Sequence, residues 1–184
     1  MKKYTNWGMV VLPEDFINHN IAELEAFQPR EFFIQYKEGG QNIKLKYDEA
    51  YEKYFGYTLQ GKLYRWYKEP NEAKVRTTSL VAFGKICIWG DASLSEPSES
   101  NGAFTYKYCF GEGLSYVSAD INGSILILTN ENFGKVIGEI DEQIMNSYLE
   151  EIQNISDVDL KKYVTSNKEG AQLFLRYFEM INNL

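Results

Sequence analysis

Leu80-Val-Ala-Phe-Gly-Lys-Ile-Cys-Ile-Trp89 and Phe104-Thr-Tyr-Lys-Tyr-Cys-Phe110 are the two stretches whose reading decides the fold. In the second, Phe104, Tyr106, Tyr108 and Phe110 fall on one side of an extended strand, and Thr105, Lys107 and Cys109 fall on the other. Paired as a hairpin with Trp89 opposite Phe104, the two runs set Cys87 opposite Tyr106 and Cys109 opposite Gly84. The sheet they imply has one strongly aromatic face.

Outward from this pair, residues 43 to 138 read as short β-type runs punctuated by glycine, proline and asparagine. Lys62 to Tyr67, Leu114 to Ala119, Ser124 to Leu128 and Lys135 to Ile137 are further candidate strands, and Asp120-Ile-Asn-Gly123 reads as a hairpin turn. Asp48 to Phe55 reads as an intervening helix. Ala92 to Ala103, with four serines, a proline and two glutamates, reads as an exposed loop.

Helices are expected at both ends. Pro13, followed by Glu14 and Asp15, opens one in which Ile17, Ile21 and Leu24 recur at helical spacing. A second covers Arg30 to Lys37 and stops at Gly39-Gly40, where glycine takes the left-handed conformation that ends helices. Near the C-terminus, Ile144, Met145, Tyr148, Leu149 and Ile152 form one stripe, and Ser156 with Asp159 resembles a capping box for a short helix. Ser166 with Glu169 caps a last helix, about Lys168 to Asn183, whose apolar face carries Ala171, Phe174, Leu175, Phe178 and Ile181. Leu173, Tyr177, Met180 and Leu184 widen that face, so the helix reads as docked. The expected fold is a single α+β domain over residues 1–184: a central antiparallel or mixed sheet of five to six strands, with N-terminal and C-terminal helices packed on it.

The chain is poor in reactive groups, with one histidine (His19) and two cysteines (Cys87 and Cys109) in 184 residues. His19 lies at the flank of an apolar stripe and reads as structural or surface. The cysteines read as buried thiols, since they lack close spacing and a lone bridge does not suit a reducing compartment. Glu96 with Glu99 and Asp157 with Asp159 read as solvated charge or caps rather than an acid–base pair, which needs a fixed separation across a cleft. The Asp120 turn lacks the later ligands of a calcium loop. No phosphate-binding glycine loop or nucleophile elbow appears. The expectation is no catalytic residue, no metal site and no cofactor. Tyr64, Trp66 and Tyr67 are the residues that would line an aromatic pocket if the chain bound a small ligand or sugar; core packing is the competing account of them.

Twenty-six acidic against nineteen basic residues give a net charge of −7. That balance disfavours nucleic acid and anionic membrane and favours a basic partner. No run is long and apolar enough for a spanning helix, and Met1-Lys-Lys3 leads into polar residues rather than a signal core, so a cytoplasmic protein is expected.

Pro29-Arg-Glu-Phe-Phe-Ile-Gln-Tyr-Lys-Glu-Gly-Gly40 resembles the helix-then-double-glycine segment of the SUKH superfamily, and Leu80 to Asp91 resembles the Ala-Phe-Gly strand of GAD-like proteins. Both groups are typically α+β domains, and many of their members are immunity proteins that neutralise bacterial toxins. The resemblance implies a non-catalytic, immunity-type inhibitor that acts by protein–protein interaction, with a basic toxin as its partner. Asp91, Glu96 and Glu99, in or beside the serine-rich loop, are the expected partner-binding residues.

Overall fold

A computed structural model describes residues 21–22, 25–59, 62–68, 73–90 and 115–184. Its fold is α+β, and the chain divides into two compact units, Met1–Leu80 and Val81–Leu184.

The first unit contains β1 (Ile21–Ala22), β2 (Glu25–Pro29), β3 (Phe33–Glu38), β4 (Gln41–Lys46), α1 (Tyr47–Lys53), β5 (Gly56–Leu59), β6 (Lys62–Lys68) and most of β7 (Val75–Ala82). Strands β2, β3 and β4 form an antiparallel sheet in that order. Strands β5, β6 and β7 pair antiparallel, and β1 joins β5 in parallel, which makes this sheet mixed. Ile34 and Tyr36 of β3 alternate inward and are buried, whereas Phe33, Gln35 and Lys37 point the other way. The inward pair packs with Ala50, Tyr57, Trp66 and Val75 into one core. Helix α1 begins where the main-chain N–H of Lys46 donates to Glu49 Oε2 at 2.8 Å, with Asp48 and Glu49 in its first turn.

One N-terminal expectation is corrected. Arg30 to Lys37 is not a helix: Phe33–Glu38 is a strand, and Gly39-Gly40 is the turn of a hairpin. Both glycines have positive φ, 56° and 81°, and Glu38 pairs with Gln41, as a two-residue type I′ turn requires. The helix expected from Pro13 lies largely outside the described residues, and Ile21, assigned to it, stands in β1.

The second unit contains β8 (Ile86–Gly90), β9 (Ser115–Ala119), β10 (Leu126–Ile127), α2 (Asn130–Ile140), α3 (Glu142–Gln153) and α4 (Lys168–Asn182). Strand β9 pairs antiparallel with both β8 and β10. The turn expected at Asp120–Gly123 does join β9 to β10; Asp120 adopts φ 54° and its Oδ1 accepts from the N–H groups of Asn122 and Gly123 at 2.6 and 3.0 Å. Ile86, Ile88 and Val117 pack in one core with Phe133, Val136 and Ile137 of α2, Tyr148 and Ile152 of α3, and Leu173, Phe174, Tyr177, Phe178 and Ile181 of α4.

Lys135 to Ile137, expected as a strand, lies inside α2, where Thr129 caps the first turn through its Oγ1 and Phe133, Val136 and Ile137 recur at helical spacing. Ser156 to Asp159 opens no helix: Asp157 is left-handed (φ 62°) and Asp159 Oδ1 accepts from Lys161 N–H at 2.9 Å, a turn. The cap of α4 is Asn167 rather than Ser166; its Oδ1 accepts from Gly170 N–H at 3.0 Å. Asp141 both ends α2 and caps α3, so these helices meet with no intervening loop. Met180 of α4 and Leu184 beyond its end are exposed, which narrows the expected face without undoing its burial. The proposed pairing of Trp89 with Phe104 lies outside the described residues; on its described side Trp89 stands opposite Tyr116. Among the described residues no helix is long and apolar enough to cross a membrane.

Candidate functional site

The aromatic residues that could have lined a pocket are packing residues. Trp66 is buried, with the Tyr47 ring edge-on at 4.9 Å and the Tyr57 ring tilted at 5.1 Å. Tyr64 stacks on Tyr57 with centroids 4.9 Å apart, and Tyr67, on the opposite face of β6, is also buried. Tyr47 extends this cluster toward β2 by donating its hydroxyl proton to the carbonyl of Arg30. Rings held edge-on and stacked by their neighbours stabilise a core, and Tyr64, half-buried, stands at its margin. Trp66 Nε1–H has no acceptor among the described residues, a contrast to Trp89, whose Nε1–H donates to Ser118 Oγ at 2.8 Å.

Two groups of hydrogen-bonded polar side chains lie in the helical layer of the second unit. Tyr148 donates to Asn130 Oδ1 at 3.2 Å, and Asn130 Nδ2 donates to the carbonyl of Asp159 at 3.3 Å, which ties the loop after α3 to the start of α2. Tyr177 donates to Glu151 Oε1 at 2.7 Å, and Arg176 pairs with the other carboxylate oxygen. Burial, followed by the Glu151 hydrogen bond, pushes the Tyr177 hydroxyl up to about 12, and burial raises Tyr148 further still. The Tyr177 hydrogen bond lowers Glu151, assisted by Arg176. Tyr36 and Tyr47 are raised by burial, Lys53 is raised by its hydrogen bond to Tyr54, and Glu131 is lowered by Lys135. Every one of these shifts moves its group away from neutral pH. They describe stabilised protonation states, the reverse of a general acid or base tuned to exchange a proton near pH 7.

An open depression of about 470 Å3 lies beside the β9–β10 turn, lined by Lys85, Ala119, Asp120, Asn122, Gly123, Glu139 and Ile140. Its lining mixes charged and polar side chains with apolar ones and contains none of Tyr64, Trp66 and Tyr67. Among the described residues no group of three or more His, Cys, Asp or Glu side chains could hold a metal ion.

Of the residues singled out from sequence, Asp91, Glu96, Glu99, His19 and Cys109 lie outside the described residues. Cys87 is fully buried, with its thiol 3.5 Å from the carbonyl of Gly84. What sequence reasoning passed over is how unevenly the charge is divided. The 81–184 unit carries fifteen Asp and Glu against seven Lys and Arg, and the 1–80 unit carries eleven against twelve. Exposed carboxylates of the acidic unit include Asp120, Glu139, Glu142, Glu150, Asp157, Asp159, Glu169 and Glu179. A second overlooked feature is the solvent face of the β3–β4 hairpin, where Lys37, Lys44 and Lys46 are all exposed and Lys44 Nζ lies 3.8 Å from the centre of the Phe33 ring. The alternation in Asn42-Ile-Lys-Leu-Lys46 was the available signal.

Comparison with protein-family models, with curated proteins and with solved structures finds no match to this chain.

Proposed function

We propose that the chain is a non-catalytic, cytoplasmic binding protein, most concretely an immunity-type inhibitor that neutralises a basic toxin by protein–protein interaction. The observation that carries this reading is the concentration of acidic charge in the 81–184 unit, which also contains Asp91, Glu96 and Glu99. A surface of one sign speeds encounter with a partner of the opposite sign, and proteins that act on nucleic acid are commonly basic because they bind phosphate. The burial of Trp66 and Tyr67 lends support, because core packing accounts for two of the three aromatic residues on which a sugar-binding or small-ligand reading was based.

The test is capture of a partner from the native host with the whole chain as bait, followed by rate constants at low and high salt. A basic protein should be captured, its association should slow as salt rises, and Asp91→Lys with Glu96→Lys and Glu99→Lys should slow association more than it speeds dissociation. A salt-independent on-rate removes the electrostatic argument. Turnover of a small substrate without a protein partner overturns the proposal.

A further inference from the structure

Strand β4 is the outer strand of its sheet: β3 is its one neighbour among the described residues. Gln41, Asn42, Lys44 and Lys46 are exposed, and Ile43 and Leu45 are only half-buried although they pack against the core of this unit. An edge strand offers a row of main-chain N–H and C=O groups to any extended segment that reaches it, and lysines along such an edge normally discourage pairing. Here the lysines also select. A second copy of the chain laid antiparallel on β4 would bring the same lysines of the two copies close together, and like charges placed side by side disfavour pairing. A segment with carboxylates at alternate positions would instead set them beside Lys44 and Lys46 on the outer face. Its intervening residues would fall on the inner face, beside Ile43 and Leu45, so apolar side chains there would complete the cover of two half-exposed residues. Glu49, the nearby carboxylate of α1, is occupied by the main-chain N–H of Lys46, and the ammonium groups of Lys44 and Lys46 form no ion pair among the described residues.

We propose that β4 is a docking edge for an extended partner segment in which aspartate or glutamate alternates with apolar residues, added to the β2–β3–β4 sheet as a further strand. Main-chain hydrogen bonds provide the attachment, and the lysines provide the choice of partner. The site belongs to the 1–80 unit and does not depend on the inhibitor reading, which rests on the acidic unit.

The experiment uses the whole protein and a fluorescently labelled peptide that alternates glutamate with valine. Binding should be saturable by anisotropy, and hydrogen exchange should slow at the amides of Gln41–Lys46. The double variant Lys44→Glu, Lys46→Glu retains the fold because both side chains are exposed, and it should bind the peptide about tenfold more weakly. The same variant should prefer a lysine–valine peptide that the wild type rejects. A block peptide of the same composition, with its glutamates and valines segregated, should bind poorly; if it binds as well as the alternating one, the attraction is charge alone and the strand proposal is wrong. Absence of saturable binding, or protection that appears outside β4, overturns it equally.

Discussion

Asn182, in the last turn of α4, pairs with both main-chain groups of Ile86: its Oδ1 accepts from the Ile86 N–H at 2.8 Å and its Nδ2 donates to the Ile86 carbonyl at 3.2 Å. A helix side chain thereby takes the place of a neighbouring strand at the start of β8. Gly84 makes room for it, since a Cβ there would stand 2.3 Å from Asn182 Oδ1. Asn182→Leu leaves two main-chain groups unsatisfied and should cost about 2–6 kcal/mol, from about 1–3 kcal/mol for each. Asn182→Asp keeps the acceptor and loses the donor, so it should fall between leucine and wild type in urea denaturation. Equal stability of all three proteins would show the pair to be incidental.

The rest of α4 carries a heavier share of stability. Leu173, Phe174, Tyr177, Phe178 and Ile181 are buried in the second core, and burying each such side chain contributes about 1.5–3 kcal/mol. Their sum approaches the whole stability of a typical domain, about 5–15 kcal/mol. A chain ending at Val164 should therefore lose its cooperative melt and its near-ultraviolet circular dichroism. A truncated protein that kept both would make the helix an accessory.

Trp66 and Trp89, both buried, should respond differently to the same change. Trp66→Phe removes an N–H that has no acceptor among the described residues, whereas Trp89→Phe removes one that donates to Ser118. The lost ring volume is comparable, so Trp89→Phe should destabilise more, by about 1 kcal/mol, the net worth of an ordinary hydrogen bond. Denaturant midpoints with matched slopes provide the measurement, and the opposite order would refute the assignment.

Tyr177 and Glu151 predict stability limits at both ends of the pH scale. Burial and the Glu151 hydrogen bond push the folded tyrosine up to about 12 from the ordinary 10.0, so its contribution is complete below pH 10 and is lost as pH rises toward 12. Glu151 is lowered in the fold, so its contribution is present above the ordinary carboxylate range and is lost as pH falls through the folded value. Tyr177→Phe should flatten the alkaline limb and, by removing a hydrogen bond to Glu151, soften the acid limb as well. An unchanged alkaline limb would place the loss of stability on other groups.

Much of this architecture was legible in the chain. The broad apolar face of α4 and the stripe of α3 were readable because many residues repeat the same helical spacing. Asp120–Gly123 announced its turn through residues that tolerate left-handed backbone. Gly39-Gly40 misled because a glycine with positive φ serves a helix end and a type I′ turn equally well, and Phe33 to Lys37 is short enough for its apolar positions to fit either period. Lys135 to Ile137 was too brief a window to reveal the helix begun at Thr129. Asp120 and Glu139 flank the open depression because a turn and a helix bring them together, and no local pattern encodes that proximity. The acidic character of one half and the lysines of β4 were both present in the letters, but a single net charge averaged them away.

The two-residue turn at Gly39-Gly40 also bears on the order of events as the chain folds. Closing so short a loop costs little entropy, and hairpins of this kind form in roughly 1–10 microseconds. The parallel contact of Ile21 with Gly56 joins residues separated by the whole of that hairpin and α1, and such distant partners meet late. Strands β3 and β4 are therefore expected to form early in the first unit, and replacing both glycines with alanine should slow its folding far more than it speeds its unfolding.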